Sequence, residues 1–182
     1  MDRRFQSFSL TTQVSEFSYY LYDGLLNLLL IFWNNNLTRI FFENESKHYF
    51  QYFSKMKCQE DTGRDLVELT KQQFDEYFSG KPMDFELPMI LCGTYFQNRV
   101  WKAASKICFG NVRSYAKIAK DIGSPKATRA VGGALGRNPI PIIIPCHRVI
   151  ESNGSLGGFS GDLLVKKTLL AIEGISTVEL TI

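Results

Sequence analysis

The chain has 182 residues, 45% of them apolar and 13% aromatic, with 21 basic and 18 acidic side chains and a net charge of +3. This is enough apolar material for one large core or two small ones, and it excludes a disordered or low-complexity chain. Four scattered cysteines without a CxxC pair, and only two histidines, exclude a disulfide framework and leave poor spacing for a Cys/His zinc centre. At the amino terminus Arg3 and Arg4 lead into polar residues rather than the apolar core of a signal peptide. The most apolar stretch, residues 17–33, is broken by Asp23, Gly24 and Asn27 and falls short of the roughly 20 apolar residues that cross a membrane. The expectation is an intracellular protein, cytoplasmic or, in a eukaryote, nuclear, with no membrane partner.

Residues 1–88 read as a small mixed α/β domain. Leu25 to Trp33 and Leu37 to Phe42 are apolar, strand-like runs joined by Asn34-Asn35-Asn36, which predicts a hairpin. Asp61 to Phe78 has helical spacing, with Leu66, Leu69, Phe74 and Phe78 near one side. Gly80, Pro82 and Pro88 mark the exit, and nothing in this half points to chemistry. His48, beside Tyr49 and Phe50, reads as a packing or surface residue, and Cys58 has no evident role; Cys92 and Cys108 read as structural.

Residues 92–182 are organised more tightly. Phe96, Val100, Ala104 and Ile107 trace one helical face. Ser114 is placed to cap the next helix, whose inward stripe is Ile118, Ala119 and Ile122 and whose stop is Gly123. Ser124 and Pro125 then serve as cap and first-turn proline of a helix to Leu135, giving a helix-turn-helix with the second helix in the reading position. That helix is slim: Ala127, Ala130, Gly132, Gly133 and Ala134 carry little or no side chain, and each internal glycine costs roughly 1 kcal/mol against alanine. Either close packing against a neighbouring helix or entry into a DNA groove, with Arg129 projecting, accounts for that cost.

Charge sharpens the choice. Residues 1–98 carry 9 basic and 13 acidic side chains, whereas residues 99–148 carry 10 basic side chains and one acid, Asp121. A window at +9 in a nearly neutral chain is the footprint of a polyanion-binding surface.

Downstream, Asn138 to Ile150 reads Asn-Pro-Ile-Pro-Ile-Ile-Ile-Pro-Cys-His-Arg-Val-Ile. Pro145 biases Ile144 to an extended conformation, so Cys146 is expected at the end of a rigid, buried stem. A sulfur nucleophile must be a thiolate, and a fixed neighbouring base or cation provides one. His147 is a candidate base if a carboxylate orients its second nitrogen. A Cys-His dipeptide alone decides nothing.

The run Ile144-Pro145-Cys146-His147-Arg148-Val149 resembles the active-site signature of the O6-alkylguanine-DNA alkyltransferases, the methylated-DNA–protein-cysteine methyltransferases. The likeness extends through Gly110-Asn111-Val112-Arg113-Ser114-Tyr115, Arg129 to Ala134, Asn138-Pro139, Gly157 to Gly161 and Leu169 to Gly174, in the family's order. It covers about residues 95–174. Residues 1–88 resemble the family's amino-terminal domain only in size and α/β pattern.

The resemblance implies a ribonuclease H-like mixed α/β domain followed by a mainly α, winged helix-turn-helix-like domain carrying DNA binding and catalysis. It implies irreversible, single-turnover transfer of methyl or another alkyl group from O6-alkylguanine in double-stranded DNA to Cys146, with O4-alkylthymine a further candidate substrate. His147, through a water, would take the thiol proton, and Glu173 would orient His147. Tyr115 would hydrogen-bond the flipped base, and Arg129 would fill the stack it vacates. Ser114, Ala127, Ala130, Gly132 and Gly133 fall on the DNA side. Asn138 belongs to the turn before the stem, while Leu135, Val149, Phe159 and Ser160 border the pocket. An adduct buried in a duplex must be extruded, and a slim helix suits the narrow minor groove. The chemistry calls for no metal or organic cofactor, and the expected state is a monomer that can cluster on DNA.

Three alternatives are weighed. A lesion sensor of this family would lack the acceptor cysteine, whereas Cys146, His147 and Glu173 are all present. A fusion to a zinc-bearing sensor would need more ligands than Cys58 and Cys92. A helix-turn-helix repressor would leave Pro145-Cys146-His147 without a use.

Overall fold

The computed structural model describes residues 17–43 and 64–176. The expectations for His48 and Cys58 lie outside these residues.

Three antiparallel strands, β1 (Phe17–Tyr22), β2 (Leu28–Trp33) and β3 (Asn36–Phe42), form a sheet in that order. The hairpin between β2 and β3 pairs Trp33 with Asn36. Its two linking residues, Asn34 and Asn35, have φ of 47° and 59°, as a type I′ turn requires and as asparagine tolerates. Two details depart from expectation. The strand predicted from Leu25 begins at Leu28, and the chain before it forms β1, registered from Phe17 opposite Trp33 to Tyr22 opposite Leu28. Residues 23–27, of which Asp23, Gly24 and Asn27 read only as interruptions of an apolar run, are the reversal between the two strands.

Helix α1 (Arg64–Phe78) covers the sheet with Leu66, Phe74 and Tyr77. The outer edge of β3 is occupied by loops: the Leu37 amide donates to the Pro88 carbonyl at 2.8 Å and the Ile40 amide to the Pro139 carbonyl at 2.9 Å. The second contact anchors the residues just before the cysteine stem. The core under the sheet also takes in Ile140, Ile142, Val165 and Leu169, so both halves of the chain share it.

The second half is built on α2 (Tyr95–Ala104), α3 (Tyr115–Asp121) and α4 (Thr128–Leu135), followed by a 3-10 turn (Cys146–Arg148) and α5 (Leu163–Ile172). A short parallel pair, β4 (Arg113–Ser114) and β5 (Val149–Ile150), ties the start of α3 to the end of the cysteine turn. Thr94 and Gln97 form a reciprocal capping box on α2. The buried Trp101 indole donates to the Ala134 carbonyl at 2.9 Å and so fixes α4 against α2. Ser114 caps α3, accepting from the Lys117 amide, and Gly123 ends it at φ 67°.

The helix foreseen from Pro125 begins instead at Thr128. Ser124 accepts from the Ala127 amide at 2.9 Å, closing a turn around Pro125-Lys126, and Ala127 occupies the cap position without a side-chain hydrogen bond. Proline preset the turn rather than the first helical residue. Ile107 lies beyond the end of α2 yet is buried, and Cys92 and Cys108 are exposed rather than packed in a core. No helix among the described residues is long and apolar enough to cross a membrane.

Candidate active site

The stem that carries Cys146 is buried, as its composition implies, but it is a tight turn and not an extended run. Ile142 sits at φ 75°, rare for a β-branched residue, and the Ile144 amide returns to the Ile140 carbonyl at 2.9 Å. Pro145, with φ −81° and ψ 66°, makes an inverse γ-turn in which the Cys146 amide donates to the Ile144 carbonyl at 2.8 Å. Asn138 holds this shape. Its Oδ1 accepts from the Ile140 amide at 3.1 Å, while its Nδ2 reaches the Ile144 carbonyl at 2.8 Å and Cys146 Sγ at 3.1 Å.

Cys146 is 4% exposed and lies at the floor of a cleft of about 520 Å³. Tyr115, Arg129, Gly132, Leu135, Phe159 and Ser160 border the same cleft. The Tyr115 hydroxyl donates to the Gly158 carbonyl at 3.1 Å. Burial, reinforced by the nearby Glu151 and Cys146, pushes its phenol up to about 12, so it remains a hydrogen-bond donor near neutrality. Gly157, at φ 66°, lets the wall pass close to this ring: a Cβ there would stand 2.9 Å from Tyr115 and 3.0 Å from Glu151. Gly157→Ala is expected to cost roughly 1–2 kcal/mol in chemical unfolding, from the left-handed backbone alone.

Behind Cys146 lies a fully buried polar cluster. His147 Nε2 is 2.7 Å from Glu173 Oε1. Arg148 Nε approaches both Glu173 oxygens, at 3.1 and 2.9 Å, and its Nη2 reaches Oε1 at 3.0 Å. The Gly110 amide donates to Oε2 at 3.2 Å, and the Tyr77 hydroxyl to Oε1 at 2.8 Å. Burial alone would push the Glu173 carboxyl up, but the hydrogen bonds of His147 and Arg148, with the Arg148 charge, outweigh it and hold the group at about 2. Burial dominates at His147, moving the imidazole below its ordinary range against the pull of Glu173. These directions agree if Arg148 carries the cation and a neutral His147 contributes a hydrogen bond. Because Glu173 accepts, the His147 proton sits on Nε2. Nδ1, buried and without a hydrogen-bond partner among the described residues, is left with its lone pair.

Lys166, also fully buried, donates to the Val149 carbonyl at 2.6 Å and the Leu156 carbonyl at 2.5 Å, with its ammonium 5.9 Å from the Tyr115 ring. Burial lowers it to about 8, with Cys146 and Glu151 opposing.

Of the residues singled out in the sequence, the structure brings Cys146, Tyr115, Arg129, Gly132, Leu135, Phe159 and Ser160 to one cleft, with His147, Glu173 and Asn138 beneath it. Val149 departs from expectation: it is fully buried, does not border the cleft, and its carbonyl is occupied by Lys166. Ser114 and Ala127 act at helix starts, away from the cleft wall. Arg148 was counted with the surface charge but points inward at 7% exposure, neutralised by Glu173. The only acid of the basic window, Asp121, pairs with Arg113 and Lys117. Tyr77, Lys166 and Glu151 had no sequence signal, whereas a cation embedded in the apolar stem could have flagged Arg148.

The two glycines of α4 bear on the choice between close packing and a groove-facing surface. A Cβ at Gly132 would meet the Tyr115 ring at an ordinary 3.8 Å, and one at Gly133 would meet only Arg137 at 4.0 Å. Among the described residues, no neighbouring helix demands either glycine. With Lys126, Arg129, Ala130, Gly133 and Arg137 exposed, α4 presents a smooth, basic outer face.

A helix-turn-helix with such a face, opening beside a cleft floored by a buried cysteine and backed by a neutral imidazole, defines a thiol-bearing, polyanion-facing protein. Residues 95–175 match the 6-O-methylguanine DNA methyltransferase, DNA binding domain, and residues 25–91 match the ribonuclease-like domain of the same family. The chain is 52% identical over 101 residues to the methylated-DNA–protein-cysteine methyltransferase of Mycobacterium leprae, covering 56% of this chain and 61% of that protein. It is 52% identical over 110 residues to the constitutive enzyme of that name from Bacillus subtilis, covering 60% and 67%. The matched region thus spans about three-fifths to two-thirds of these relatives. Mycobacterium tuberculosis OGT, solved in complex with DNA, superposes with a TM-score of 0.65 at 36% identity, covering 85% of this chain and 92% of that one. The chain belongs to the 6-O-methylguanine DNA methyltransferase family.

Proposed function

We propose that the protein repairs alkylated DNA by direct reversal, taking the alkyl group of O6-alkylguanine onto Cys146. Residues 92–182 carry DNA binding and chemistry, and residues 1–88 brace them, in a cytoplasmic or nuclear protein. The observation that carries this reading is Cys146 at the floor of a cleft beside α4, directly preceding the His147–Glu173 pair. Exposed lysines and arginines around α4 supply phosphate contacts that weaken with salt. Arg129, at the rim, enters the stack as the damaged nucleotide leaves it.

The thiol proton passes through a water to His147 Nδ1. The resulting thiolate attacks the alkyl carbon in line, the C–S bond forms, and the C–O6 bond breaks with its electron pair on the guanine. Lys166 favours the thiolate from beneath. The Tyr115 hydroxyl, released from Gly158, donates to the departing base and offsets its charge. Among the described residues, no group in the site is placed to cleave the resulting thioether, so each molecule reacts once.

Intact mass after incubation with a duplex bearing one O6-methylguanine tests this reading. A gain of one methyl (~14 Da) mapping to Cys146, absent in Cys146→Ala, is expected for in-line attack by this nucleophile. An unchanged mass with tight binding to the lesion duplex would point instead to a sensor.

A further inference from the structure

Resting on that reading, we infer that Tyr77, supplied by α1 of the amino-terminal half, is a positioning residue for the transfer: with Glu173 it holds the His147 proton on Nε2 and keeps Nδ1 available as the proton acceptor. Tyr77 is wholly buried. Its hydroxyl donates to Glu173 Oε1 at 2.8 Å and lies 3.3 Å from His147 Nε2.

A hydroxyl has one hydrogen and two lone pairs. Once that hydrogen is committed to the Glu173 carboxylate, only a lone pair is left for Nε2. An Nε2–H is attracted by both the Tyr77 and Glu173 oxygens, whereas an Nε2 lone pair would face two acceptors and be repelled by both. The opposite tautomer would also place an N–H at the Nδ1 position, which is buried with no acceptor among the described residues. Glu173 could not set the tautomer as firmly alone, because Arg148 grips the same carboxylate with three hydrogen bonds and competes for its orientation.

Tyr77 can act as a fixed reference because its ring is wedged among Phe78, Phe85 and Phe109, at centroid distances of 5.4, 5.8 and 6.0 Å. Burial, with the Glu173 charge beside it, pushes its phenol far above the ordinary tyrosine range, so the hydroxyl keeps its hydrogen at any pH the protein meets. Among the described residues, the charged and titratable groups acting on His147 are Glu173 and Lys166 at and within α5, Arg148 of its own turn, and Tyr77 of α1. Of these, Tyr77 alone belongs to the first half of the chain. The amino-terminal half therefore contributes an atom to the hydrogen bonds that orient the proton acceptor.

The full-length chain with 15N-labelled imidazoles gives the test. With only His48 and His147 present, His147→Gln assigns the signals. Unmodified protein is expected to show His147 protonated at Nε2 and bare at Nδ1; a proton on Nδ1 would overturn the inference without any variant having to fold. Tyr77→Phe is expected to show a mixture of tautomers. It should also slow single-turnover transfer by about ten-fold, the effect of one lost hydrogen bond, and move the acid limb of the rate profile, with affinity for the lesion duplex unchanged. Rates and acid limb superimposing on the unmodified protein would overturn the inference, as would an equal slowing in a His147→Gln background. Absence of transfer in the unmodified protein would strike the proposed function instead, and the tautomer measurement would still decide the role of Tyr77.

Discussion

Replacing Glu173 by alanine is expected to destabilise the protein by about 3–5 kcal/mol, the cost of leaving a buried charge without its partner. Arg148 would be that charge: it is 7% exposed, and besides Glu173 it has the Ile107 carbonyl and the face of Phe109. Neither neutralises a guanidinium. The same variant strips hydrogen bonds from His147, Tyr77 and the Gly110 amide, so the loss spans both halves of the chain. Urea unfolding followed by tryptophan fluorescence checks the prediction, since Trp101 is buried in the second half and Trp33 lies in the sheet. A loss below about 1 kcal/mol, the scale of an exposed pair, would mean that water reaches this cluster. The unmodified protein should show the matching pH dependence. Folding holds Glu173 below its unfolded value, so its contribution is complete above the ordinary carboxylate range. It is then lost as pH falls from there through about 2.

The second large effect is kinetic. His147→Gln should lower the single-turnover rate by about 100-fold or more, the usual contribution of a positioned general base. Glutamine retains an N–H to offer Glu173, so the cluster keeps its hydrogen bonds, but it has no nitrogen lone pair to receive the Cys146 proton. Binding to the lesion duplex should be preserved, because His147 is fully buried and contributes nothing to the outer face of α4. In the unmodified protein the rate should hold through neutral pH and decline only below the ordinary imidazole range, where the depressed His147 becomes protonated. Equal rates for the variant and the unmodified protein would remove His147 from the proton path.

Much of the second half was legible in sequence because its signals are local. Ser114 as a cap, Gly123 as a stop and the slim stripe from Ala127 to Ala134 each act within a few residues, and periodicity carries the helix faces. Pro125 shows the limit of such signals, since it presets φ equally well for a turn and for a helix start. Strand β1 was hidden for a related reason. Residues 17–33 are apolar almost throughout, and the few polar residues inside them read as defects until the pairing of Tyr22 with Leu28 turns them into a bend. What sequence could not reach was anything settled by distance through space. Tyr77 is separated from His147 by 70 residues and from Glu173 by 96, and nothing around it departs from an amphipathic helix. Lys166 likewise looks like a surface lysine until α5 is seen to be buried on that side.

Cys146 is also a member of the hydrophobic core, packed in one cluster with Ile144, Val149, Leu135 and Trp101. On the proposed reading, a carbon added to its sulfur stands between the cleft and this packed cluster, and where it presses on the cluster the overpacking costs typically about 1–3 kcal/mol. Under the proposed reaction, repair and mutation become the same physical event, since each alkyl group taken up is written as an extra atom on a side chain of the core. On that reading a molecule that has reacted carries its history in the packing around Cys146, and spent copies are to be told from fresh ones by how readily they open.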